Sequence, residues 1–159
     1  ILKSFGTVLM ASMLFGLGLV GVLGEGAAYL DANTLVDRMI KLWLVAITTL
    51  LGWVLWSASS HVLGGKFLRG GGEFRQLLRA HGIGYGPLAL AVLLPLSTVG
   101  LPLLFVGVFW VLVTGVVGAH EVQDNDWFSV VLSTLPGWAL FVFGLLVITL
   151  SSVGVQGGG

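Results

Sequence analysis

The sequence predicts an all-α fold: a polytopic integral membrane bundle of five transmembrane helices with a short interfacial helix on the cytoplasmic side. Three observations carry this. Only 9% of the 159 residues are charged while 57% are hydrophobic, against roughly one-quarter charged in soluble domains. The mean hydropathy is +1.06. The charges are also segregated, leaving four stretches, 5–23, 42–60, 83–119 and 127–159, without Asp, Glu, Lys or Arg.

A helix rises 1.5 Å per residue, so about 20 apolar residues cross a hydrocarbon core of about 30 Å. Stretches 5–23 and 42–60 are each one span. The first is longer than the apolar region of a signal peptide and runs into Gly24-Glu25-Gly26 without a clear cleavage site, so it reads as a helix that stays. As one helix, 83–119 would be about 56 Å long, nearly twice the core. Its middle, Ser97-Thr98-Val99-Gly100-Leu101-Pro102, is a turn signal, which divides it into spans 83–97 and 101–119. The last span is 127–150, and 151–159 is a flexible Ser/Gly-rich tail; 1–150 form one domain.

Orientation follows from the cations. Lys3, Lys66, Arg69, Arg75 and Arg79 fall on one side of this layout, Arg38 and Lys41 on the other, so the N-terminus and the 61–82 loop are expected in the cytoplasm. Trp43, Trp53, Trp56, Trp110, Trp127 and Trp138 partly fit the interfacial belts that mark span edges, Trp43 and Trp127 best. Pro95 and Pro136, inside apolar runs, are expected to kink or break their helices. Ser12 with Gly16 and Thr114 with Gly118 have the spacing that lets helix backbones approach closely.

Several function classes drop out. Zero net charge removes the basic footprint of a nucleic-acid binder. Without cysteine there is no disulfide framework, thiolate metal site or cysteine nucleophile. No HExxH, GxSxG or Walker pattern is present, and Gly70-Gly71-Gly72 lacks the preceding strand and the lysine of a phosphate loop, so it reads as a flexible joint. The spans hold no Asp, Glu, Lys or Arg, which disfavours an ion pump or proton-coupled carrier. His61, His81 and His120 fall at helix ends or in loops, where an amphipathic ring meets water or headgroups more often than haem or a pigment. Glu121, Asp124 and Asp126 read as solvated carboxylates rather than a cation cage. The chain is expected to be neither an enzyme nor a cofactor carrier.

The most informative segment is GGKFLRGGGEFRQLLRAHGIGYGP, residues 64–87. On a helix starting near Gly72, Phe74, Leu77 and Leu78 share a face, and Arg75 and Arg79 form an i, i+4 pair elsewhere. That pattern predicts an amphipathic element on the cytoplasmic interface, its arginines toward anionic headgroups. Gly82, Gly84 and Gly86 then loosen the chain before Pro87 opens the next helix.

Across Gly72, Phe74, Leu77, Arg79, Gly82, Tyr85 and Pro87 this segment resembles the Yip domain family of membrane proteins. The family's eukaryotic members are called Rab- or Ypt-interacting proteins. Its members carry a glycine-rich turn, a phenylalanine-containing stretch and short apolar helices, and the hydropathy layout over 5–150 is similar. The resemblance implies a five-span bundle with a cytoplasmic N-terminus. For the eukaryotic branch it also implies binding of prenylated Rab-type GTPases, but the RQLLRA wording is nearer the bacterial and archaeal members. The expected function is a non-enzymatic scaffold or adaptor that organises the bilayer, partner membrane proteins or a homo-oligomer. The alternatives are an accessory subunit of a larger membrane complex, or a small channel or carrier for neutral substrates built on helices kinked at Pro95, Pro102 and Pro136.

Overall fold

Polar side chains sit inside this molecule and large apolar ones outside. In the computed structural model, which describes residues 1–22, 32–93 and 100–154, Ser12, Thr49, Ser57, Ser60, His81, Gln123 and Thr134 are buried, whereas Leu51, Leu55, Phe105, Phe109, Leu140 and Phe143 are exposed. An apolar exterior of this extent fits a bilayer as solvent, where only the backbone pairing of helices or closed barrels is sustainable.

The described residues are helical, with no strand among them. In order they form α1 (Leu2–Val22), α2 (Ala32–Val62) prolonged by one π-helical turn (Leu63–Phe67), α3 (Phe74–Gly84), a 3₁₀ helix (Gly86–Leu93), α4 (Gly100–Gln123) and α5 (Trp127–Gly154). Three helices are long and apolar enough to cross a membrane: Arg38–Phe67, Pro102–Gln123 and Trp127–Val147. A shorter apolar helix, Leu2–Gly18, accompanies them.

The predicted span 83–97 takes another form in its described part. It begins in the last residues of α3 and continues as the eight-residue 3₁₀ helix, which at about 2 Å per residue covers about 16 Å, half a hydrocarbon core. Residues 94–99, with Pro95 and most of the expected turn, lie outside the described residues, as does the end of the 151–159 tail. Pro102 falls in the first turn of α4, where its missing N–H breaks no helical bond. Pro136 does not end α5, which runs on to Gly154.

α2 packs most extensively on α5, α1 on the 3₁₀ segment and α2, and α4 on the 3₁₀ segment and α3. Val8 and Phe15 of α1, Trp53 and Trp56 of α2, Tyr85, Val111 of α4 and Phe141 of α5 share one core. Leu77, Ala119 and Val130 form a second, smaller one. Both close-approach pairs serve contacts inside the bundle. A Cβ on Gly16 would stand 2.6 Å from Leu42 Cδ1, and one on Gly118 2.9 Å from Ala80 Cβ.

Candidate functional site: a buried polar core beneath the glycine-rich segment

The glycine-rich segment read as a flexible joint is docked. Gly71 N–H donates to the Gln123 carbonyl at 2.8 Å, Gly70 N–H to the Gly64 carbonyl at 2.8 Å, and Asn125 Nδ2 to the Leu68 carbonyl at 3.1 Å. Gly72 adopts φ +96° with a space in which a Cβ would meet Val122 O at 2.6 Å. Only glycine satisfies both conditions, so the composition that suggested looseness is what permits a close seat on the α4–α5 connection.

α3 starts where Glu73 N–H donates to Gln76 Oε1 at 3.0 Å, a side-chain cap that satisfies a donor helical bonding leaves free. Its apolar face turns into the protein. Leu77 is fully buried against Ala119 and Val130, Leu78 packs on the main core, and Phe74 is half-buried with its ring 6.0 Å from that of His61. The amphipathic pattern was legible, but Leu77 does not face lipid. Packing against α4 and α5 removes it from the interface, while Arg75 and Arg79 remain exposed.

The end of α3 is drawn between its neighbours by small residues. A Cβ on Gly82 would stand 2.6 Å from Ser4 Cβ and 3.2 Å from the Trp53 ring, and one on Gly84 2.9 Å from Thr114 Oγ1. Ser4 Oγ donates to the Arg79 carbonyl at 3.2 Å and Trp53 Nε1 to the Leu78 carbonyl at 2.9 Å. Tyr85 is fully buried, its ring 5.1 Å from Phe141. Pro87 is half-buried, with its carbonyl oxygen 3.0 Å from where a Gly107 Cβ would lie.

His81 is thereby carried into the core rather than left at a helix end in the interface. It is fully buried and stacks on Trp56 with ring centroids 4.4 Å apart. Ser57 Oγ donates to the Trp53 carbonyl at 2.9 Å and lies 3.1 Å from His81 Nδ1. With its one proton committed to that carbonyl, Ser57 accepts from Nδ1–H, which makes Nε2 the acceptor nitrogen. His81 Nε2, Tyr85 Oη, Ser60 Oγ, Thr134 Oγ1 and Trp138 Nε1 are buried without a partner among the described residues.

Around this centre Trp56 Nε1 donates to the Thr134 carbonyl at 2.9 Å. Gln123 Nε2 donates to the Ser60 carbonyl at 3.1 Å, and Ser133 Oγ lies 3.2 Å from Gln123 Oε1. Thr134, Gln123, Ser60 and Ser133 were not singled out from the sequence, and Trp53 and Trp56, counted there among the belt tryptophans, are buried in the core instead, although a signal was present. Trp53, Trp56, Ser57 and Ser60 fall at i, i+3, i+4 and i+7, a stripe along one helix face.

The remaining titratable groups sit at helix ends. His61 closes α2, and His120 in the last turn of α4 stacks on Trp127 at 3.8 Å. Asp126 accepts from Ser129 N–H at 3.0 Å and from Ser129 Oγ at 2.7 Å, capping α5. Those hydrogen bonds, the side-chain one first, hold its carboxyl below the ordinary value of 3.8. No group of three or more His, Asp or Glu that could hold a metal ion occurs among the described residues. Compared with family models, curated proteins and solved structures, the chain matches none of them.

Proposed function

We propose that this chain is a non-enzymatic integral membrane scaffold or adaptor of the kind the Yip resemblance implies. It has five spans, in which α1 and the stretch 83–97 join the three long helices, and a cytoplasmic N-terminus. The observation that carries the reading is the docking of 64–72 on the α4–α5 connection through Gly71–Gln123 and Asn125–Leu68. It supports a fixed cytoplasmic face beside exposed Arg75 and Arg79, suited to holding a partner rather than enclosing a substrate. The partners proposed are the bilayer, a second copy or another membrane protein; a Rab-type GTPase enters only through the eukaryotic branch of the resemblance.

The test is gentle purification with cross-linking, mass spectrometry and an absorption spectrum. The expected result is a co-purifying membrane protein or second copy cross-linked at 64–82. Cross-links absent from that face, or a stoichiometric pigment or haem, would overturn the reading.

A second reading, a small carrier for neutral solutes, is favoured by one observation: the buried, unpartnered polar atoms of His81, Tyr85, Ser60 and Thr134. Solute flux into proteoliposomes that vanishes in His81→Leu would favour it over the scaffold.

A further inference from the structure

Removal of Leu77 from the interface leaves open which residues meet the lipid at this end, and the turn that closes α2 answers it. Phe67 is 72% exposed, between Lys66 and Arg69, which are exposed too. The backbone carrying them is fixed: Leu68 N–H donates to the Leu63 carbonyl at 3.1 Å, and Asn125 Nδ2 holds the Leu68 carbonyl from the other side at 3.1 Å. Arg69 takes φ +58°, a left-handed conformation costly for a residue with a Cβ. Outlying backbone of this kind persists only where its surroundings impose it, and it concentrates at functional positions.

Two ends of membrane-crossing helices coincide here. The apolar helix Arg38–Phe67 stops at Phe67 and Trp127–Val147 starts at Trp127. The Asn125–Leu68 bond ties these ends together. Phe128, 76% exposed, stands beside Trp127. Exposed apolar rings at the end of a span bury at the boundary of acyl chains and headgroups, while cations beside them meet anionic headgroups. Glu121, Asp124 and Asp126 are exposed on the neighbouring connection and Arg75 and Arg79 on α3, so Lys66 and Arg69 are the cations that flank the exposed Phe67 ring itself.

We propose that Phe67 and Phe128 anchor this end in the headgroup boundary and that Lys66 and Arg69 bind anionic lipid phosphates there. The proposal rests on the reading of α2 and α5 as spans and shifts the lipid contact from α3 to residues 66–69 and the start of α5. The partner is identified by charge complementarity: two cations flanking an exposed ring fit a phosphodiester headgroup over an acyl surface, and each cation near such a surface favours anionic lipid by about fivefold.

The test uses the full-length protein in nanodiscs of phosphatidylcholine with and without phosphatidylglycerol. Lys66→Gln with Arg69→Asn is the variant, because asparagine tolerates the left-handed backbone. Native mass spectrometry should show phosphatidylglycerol enriched on the wild type and the enrichment falling by about fivefold per cation removed, less at high salt. In the cysteine-free chain, a spin label on Phe67→Cys should report interfacial depth, whereas one on Asp124→Cys should be in water. Unchanged lipid enrichment in the variant, or a water-exposed label at 67, would overturn the proposal. If Asp124→Cys and Asn33→Cys were labelled from the same side, the spanning assignment itself would fail, a result distinct from loss of the anchor.

Discussion

Trp56 and His81 lie face to face, ring planes 11° apart, with α2 contributing the indole and α3 the imidazole. The stack exists because the helices on either side of the indole present glycine. A Cβ on Gly115 of α4 would overlap the Trp56 six-membered ring, and one on Gly137 of α5 would stand 2.6 Å from Trp56 Cδ1. The carrier reading and the bundle's stability therefore meet at one indole.

Truncating that indole separates packing from hydrogen bonding. Trp56→Ala is expected to cost about 3–5 kcal/mol, the range for deleting a buried aromatic. Trp56→Phe retains most of the ring but removes the donor to the Thr134 carbonyl, a loss of about 1 kcal/mol. His81→Leu leaves the Ser57 hydroxyl on the Trp53 carbonyl and orphans no donor, so a change within about 1 kcal/mol is expected. Unfolding in mixed micelles orders the three, and a His81→Leu as damaging as Trp56→Ala would contradict the hydrogen-bond assignment.

Glycines that touch the core are expected to behave differently from those that do not. Gly115→Ala forces the Trp56 ring to move and should cost about 1–3 kcal/mol, as overpacking does. Gly118→Leu drives a larger group against Ala80 and should cost at least as much. Gly6→Ala has nothing within 4 Å of its new Cβ and should stay within about 0.5 kcal/mol. Equal melting of Gly115→Ala and Gly6→Ala would refute the close approach of Gly115 to the Trp56 ring.

Sidedness can be read with single cysteines. The contact between Gly71 and Gln123 places 64–72 and 122–126 at one end, so Gly70→Cys and Asp124→Cys should label from one side, expected from the cation count to be the cytoplasmic one. Asn33→Cys should label from the other. Labelling of Gly70 and Asp124 from opposite sides would be incompatible with the bonds between their segments.

Acid should weaken the start of α5. Asp126 has a folded-state carboxyl below its ordinary 3.8 because Ser129 donates to it, so its stabilising effect is complete above about that pH and is lost as pH falls through the folded value. Asp126→Asn keeps a capping side chain without a titrating group and should flatten this acid step. Asp126→Ala should be less stable at neutral pH and also lack the step. Unfolding midpoints measured from neutral pH to below pH 3 distinguish the three chains.

The helical fold and its membrane character were fixed by composition and charge segregation. A chain with 9% charged residues cannot cover itself in water, and charge-free runs of about 20 residues have the length of a membrane-spanning helix, which satisfies its own backbone in lipid. The Gly72-to-Pro87 pattern likewise located the short helix, because periodicity is local. Burial was decided by tertiary structure. Whether Leu77 meets lipid or Ala119, and whether His81 meets headgroups or Trp56, depends on how closely α2, α4 and α5 approach. That closeness comes from glycines far apart in the chain, Gly82, Gly115 and Gly137, which come together at Trp53 and Trp56 only in the folded bundle. Sequence spacing specifies a helix face, but what that face touches is set by packing.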